Sequence, residues 1–142
     1  MKNLIKSTTS ILLVLIFVFS FTACGEKEQL TGLWADALYT ENTELGTGEK
    51  TVTVEVSAED KTVTFTIKTD AATVGAALLE HELIAGDEGE YGLYVKKVNG
   101  ITADYDIDQS YWAFYIDGQY AMSGVDSTEI TEGVVYQLAH TK

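Results

Sequence analysis

The stretch TVTVEVSAEDKTVTFTIK, Thr51–Lys68, decides how the rest of the chain is read. Val52, Val54 and Val56 alternate with Thr51, Thr53, Glu55 and Ser57. Val63, Phe65 and Ile67 alternate with Thr62, Thr64, Thr66 and Lys68. A period of two built from β-branched and aromatic residues predicts two strands, each with one buried and one solvated face. Ala58–Lys61, polar and acidic, predicts the hairpin turn between them.

Downstream the period changes. Across Thr69–Ala85, Val74, Ala77, Leu78 and Ala85 share one stripe widened by Leu83, with Asp70 or Thr73 as N-cap and Gly86 as the stop. This predicts a helix. An acidic loop, Asp87–Glu90, leads to a strand over Leu93–Val98 and a turn at Asn99–Gly100. Asp104–Gln109 is a polar excursion. Tyr111–Ile116 reads as a strand turning at Asp117–Gly118, with Gln119–Met122 pairing back and Val134–His140 as the last strand. Upstream, Leu33–Thr40 has strand-like content and reads as an edge strand, and Glu41–Lys50 reads as a loop. A hairpin, one helix and then three to four strands is an α+β order. One helix cannot cover both sides of a sheet, so it should pack on one face of a mixed, β-grasp-like sheet.

Within Tyr111–Ile116, alternation places Trp112, Phe114 and Ile116 on one face and Tyr111, Ala113 and Tyr115 on the other. The first, wholly apolar set is expected in the core under the helix. The second, joined by Tyr120 across the turn, is expected outside, where tyrosine offers rigid contact area with a polar tip.

The N-terminus carries a different signal. Lys2 and Lys6 precede the apolar run Ile11–Phe19, and Phe21–Thr22–Ala23 leads to Cys24, the chain's only cysteine. A basic start, a short apolar segment and small residues describe an export signal. The run is shorter than the roughly 20 apolar residues a membrane span needs. The arrangement at Cys24 resembles a bacterial lipoprotein signal, which implies residues 1–23 as signal peptide, Cys24 as the lipidated residue and residues 24–32 as a tether. One domain over residues 33–142 follows, on the outer side of the bacterial cell membrane.

Charge excludes several functions. The chain has a formal net charge of −13 and no arginine. All 22 acidic residues but only seven of the nine lysines lie beyond residue 23, which leaves −15 there. Such a field repels nucleic acid, and the usual bidentate clamp for phosphate is missing. Catalytic patterns are also missing. His81 has Ala85, not a ligand, four residues on. His140 stands alone in a strand. No serine occupies a nucleophile elbow, and no carboxylate pair is singled out for acid–base work. Asp104–Asp108 departs from a calcium loop, having Gln109 where glycine and Tyr115 where glutamate would stand. It leaves weak calcium binding open. No cofactor is indicated, and the expectation is a non-enzyme.

Three stretches together resemble a known family: Tyr91-Gly-Leu-Tyr-Val-Lys-Lys-Val-Asn-Gly100, Ser110-Tyr-Trp-Ala-Phe114 and Gly124-Val-Asp126. They are similar to the C-terminal β-domain of the cobalamin carriers transcobalamin and intrinsic factor, and to bacterial lipoproteins carrying that domain alone. The similarity covers roughly Thr51 to Leu138. It implies a β-grasp-like module that closes over one side of a corrinoid. By position it implies ligand contacts from Tyr91, Gly92, Leu93 and Tyr94, and from Tyr120 and Met122 in a nearby hairpin. Tyr111 and Tyr115 join these from the outer strand face. The sequence holds no counterpart of the carriers' helical barrel and no histidine matching a cobalt ligand. The resemblance therefore implies that a second component, such as a membrane transporter, completes the site. An interaction module is the alternative, its tyrosine face docking a protein or wall polymer, or an open sheet edge pairing with a peptide.

Overall fold

The structure, a computed structural model, describes residues 29–142. The signal segment, Cys24 and most of the tether lie outside the described residues.

The Thr51–Lys68 hairpin forms as its alternation demands. Strands β2 (Lys50–Ala58) and β3 (Lys61–Thr69) pair antiparallel, with Val54 opposite Phe65 and Val52 opposite Ile67. Glu59 and Asp60 make the turn, Glu59 at φ 52°. Around this pair a six-stranded sheet is built in the order β1-β3-β2-β9-β7-β8. Its other members are β1 (Thr43–Gly46), β7 (Tyr111–Ile116), β8 (Gln119–Tyr120) and β9 (Val135–Thr141). β1 runs parallel to β3 and β9 parallel to β2, so the sheet is mixed.

A second sheet holds β4 (Ile84–Gly89), β5 (Gly92–Val98) and β6 (Ile101–Thr102), in that order. The helix α1 (Val74–Glu80) buries Val74, Gly75, Ala77 and Leu78. Val74, Ala77 and Leu78 join one apolar cluster with Val52, Phe65, Val98, Trp112 and Leu138, so helix and small sheet share the core of the large sheet. The architecture is α+β, mostly strands, and compatible with a β-grasp-like fold. No helix among the described residues is long and apolar enough to cross a membrane.

Several local expectations need correction. The helix is shorter than Thr69–Ala85. Thr69 belongs to β3, and Thr73 is the N-cap, its hydroxyl accepting from Ala76 N at 3.2 Å. The stop is Glu82 at φ 54°, not Gly86. Glu82 N donates to Leu79 O at 3.1 Å and Leu83 N to Leu78 O at 3.0 Å. This is the paired bonding of a helix end with a left-handed residue. Gly86 and Asp87–Gly89 then run on as strand β4, where the close passage of the Tyr94 carbonyl leaves no room for a Cβ on Gly86.

Leu33–Thr40 is not an edge strand. Gly32–Asp36 is a 3-10 turn that seats Trp34, 3% exposed, with Nε1 donating to Ala58 O at 2.8 Å. Glu41–Lys50 is not all loop, since it includes β1. The Asp104–Gln109 excursion contains one helical turn, α2 (Tyr105–Asp108), capped by the Asp104 carboxylate on Asp106 N at 3.0 Å.

Candidate functional site

The register of β7 matches the sequence pattern. Trp112, Phe114 and Ile116 stand opposite His140, Leu138 and Tyr136 of β9. Trp112 is 8% exposed, while Phe114 and Ile116 are half-buried against the core. On the outer face Tyr111 and Tyr115 are half-buried, and Ala113 between them is 1% exposed.

Incomplete burial of Phe114 has a cause. Beside β7, where β5, the end of the β7–β8 hairpin and Ser123–Val125 meet, lies an open cleft of about 240 Å³. Leu93, Tyr94 and Val95 form the β5 side. Tyr111, Trp112 and Phe114 form the β7 side, Tyr120 and Ala121 the hairpin, and Gly124 with Val125 the far end. No lining side chain is charged. Five are aromatic.

Two devices hold the walls. Tyr120 packs edge-on against Tyr115, ring centroids 5.6 Å apart, and is fixed by pairing of β7 with β8. Asp126 ties the far end to β5: its Oδ2 accepts from Leu93 N at 3.0 Å. The carboxylate sits between two glycines. A Cβ on Gly92, which has φ +100°, would lie 2.5 Å from Oδ2, and one on Gly124 would lie 2.9 Å from Oδ1. Oδ1 is buried and has no hydrogen-bond partner among the described residues. Behind Trp112, His140 meets the indole edge-on at 5.4 Å.

Of the residues singled out in the sequence, Leu93, Tyr94, Tyr111 and Tyr120 come together in the cleft. Tyr91 and Met122 are 91% and 98% exposed and do not line it. Gly92 holds the turn into β5, and Tyr115 supports Tyr120 from the outer face. Trp112 and Phe114, read as core alone, are also cleft wall. Val95, Ala121, Val125 and the clip at Asp126 carried no such reading, because nothing in their local pattern marks a cleft.

His81 Nε2, Trp112 Nε1 and His140 Nε2 are also buried without a hydrogen-bond partner among the described residues, whereas the carboxylates around α2 are occupied. Asp108 accepts from Ser110 N at 3.1 Å and from its hydroxyl, which hold the carboxyl below its ordinary pKa, aided by Lys142. Asp104 is spent on its cap. Among the described residues no three His, Cys, Asp or Glu side chains converge as a metal set.

Fold and cleft together define a β-grasp-like α+β module with a partly open aromatic cleft at one sheet edge. Residues 71–135 match the family described as Domain of unknown function (DUF4430), a span that includes every lining residue but Leu138. A crystal structure from Ruminococcus gnavus, of a protein provisionally described as metal binding, is similar over 66% of this chain and 98% of that one, at 32% identity and a TM-score of 0.62. Haptocorrin in complex with Cbi is similar in fold over 66% of this chain and 25% of that chain, at 17% identity and a TM-score of 0.53. No curated protein matches the chain.

Proposed function

We propose that this chain is a non-enzymatic, lipid-anchored domain on the outer side of the bacterial cell membrane that binds a flat small ligand in support of uptake. A corrinoid is the named candidate. The observation that carries the reading is the cleft itself, with five aromatic side chains converging and no charged group on its walls. Aromatic faces presented this way suit stacking on a flat partner. The haptocorrin likeness supports the fold. The ligand's name rests on the resemblance at Tyr91–Gly100 and Ser110–Phe114. The Ruminococcus gnavus structure also favours a binding role. A resident metal finds no ligand set among the described residues.

Size shapes the proposal. A drug-sized ligand is normally taken into roughly 300–1,000 Å³ and largely buried. About 240 Å³ of open cleft accepts the edge of a macrocycle and leaves most of it outside. A second component, such as a transporter subunit, would cover the remainder. Titration of the full chain with cobinamide, alone and with a membrane fraction, tests this through quenching of Trp112 fluorescence. Weak binding that tightens with the membrane fraction is expected; no binding in either format removes the corrinoid. In the same preparations, Cys24→Ser should release the chain from membranes, and unchanged fractionation would remove the lipid anchor.

A second reading, docking of a macromolecule, is favoured by the exposed Tyr91, Tyr94, Tyr120 and Met122. Tyr120→Ser with Met122→Ser should then abolish capture of a wall polymer or protein while cobinamide titration stays silent.

A further inference from the structure

The cleft's chemistry says more about its ligand than flatness, and this inference rests on the small-ligand reading above. We propose that the cleft selects by charge, accepting neutral and cationic flat ligands and rejecting anionic ones. Four observations converge on this. The walls carry Tyr94, Tyr111, Trp112, Phe114 and Tyr120, and aromatic faces attract cations through their quadrupole. No lysine or histidine lines the cleft, and the one buried unpaired donor of a lining side chain among the described residues, Trp112 Nε1, is neutral. Of the two lysines in the neighbouring part of β5, Lys96 is engaged by Asp87 at 2.6 Å, a hydrogen bond that holds it protonated above its ordinary range, and Lys97 is exposed and does not line the cleft.

The fourth observation is Asp126. Its Oδ1 is a buried carboxylate oxygen that no donor among the described residues satisfies, directly behind Gly124 and Leu93, both of which line the cleft. An anion seated against Gly124 meets the repulsion of this unpaired oxygen, which lies 2.9 Å from where a Gly124 Cβ would stand. A neutral or cationic group does not. The whole chain adds to the effect, because a net charge of −13 raises the local concentration of cations and lowers that of anions.

The test uses one ring in two charge states. Cobinamide carries amide side chains, and cobyrinic acid carries carboxylates on the same macrocycle. Titrated into the full chain at about 50 mM salt, cobinamide should bind roughly tenfold more tightly. The gap should narrow at about 500 mM, where screening is severalfold shorter. Tyr120→Lys, at an exposed rim position, should close or reverse the gap at low salt. Equal or tighter binding of the acid by the unaltered chain overturns the proposal. If neither corrinoid binds, the corrinoid reading fails by itself and charge selection is decided by two flat dyes. Binding of cationic thioflavin T in preference to anionic 8-anilinonaphthalene-1-sulfonate sustains it; the opposite preference, equal binding or no binding of either overturns it.

Discussion

At Gly92 one missing atom decides whether the cleft has a far wall. Its φ of +100° is open to glycine and strained for other residues, and any Cβ would press on Asp126 Oδ2 at 2.5 Å. Gly92→Ala should therefore move Asp126, break its bond to Leu93 N and lower stability by about 1–3 kcal/mol, read as a fall in the urea midpoint. Cobinamide affinity should fall with it. An unchanged midpoint would show that the clip is not held as described. Tyr91–Gly92 was visible in the sequence as an aromatic-glycine pair. Its reason was not, because Asp126 lies 34 positions away and only the folded chain brings them together. The same holds for Trp112 and Phe114. Alternation assigns their face, but whether that face is sealed depends on what stands opposite, and β5 stops short of closing it.

Helix α1 shows how local chemistry can mislead about an element's end. Gly86 looks like the natural stop, yet the chain enters the left-handed region at Glu82 and spends Gly86 on a close strand crossing. A non-glycine residue in that region costs roughly 1 kcal/mol, offset here by the two closing hydrogen bonds and the burial of Leu83. Glu82→Gly should therefore raise stability by about 0.5–1 kcal/mol, since Glu82 is exposed and its side chain can be dropped without a cavity. A lowered thermal midpoint would count against this account of the helix end. β2 and β3 were legible because strict alternation writes burial into the sequence twice per hairpin. The 3-10 turn at Gly32–Asp36 was not: Trp34 is buried by a hydrogen bond to Ala58, a partner 24 residues away.

The complete molecule carries its acidity with little pairing. Only two ion pairs occur among the described residues, Lys96–Asp87 and Lys142–Asp108. A chain at −13 thus keeps most of its self-repulsion when folded. Adding about 0.2 M salt at neutral pH should raise Tm by about 2–4 °C by screening that repulsion; a fall would show that attractive pairs dominate. At low pH the opposite force appears. The Asp108 pKa is depressed by Ser110, so its contribution is present above the unfolded carboxylate value and is lost as pH falls through the folded one.

The sequence by itself determined the α+β class, the hairpin, the orientation of the Tyr111–Ile116 strand and the sign of the chain's field, since period and net charge are properties of neighbouring residues and of simple sums. Only the tertiary structure decided that there are two sheets, that β7 lies beside a cleft, and that Asp126 closes one end of it. Those depend on contacts between segments far apart in the chain, which no local pattern encodes.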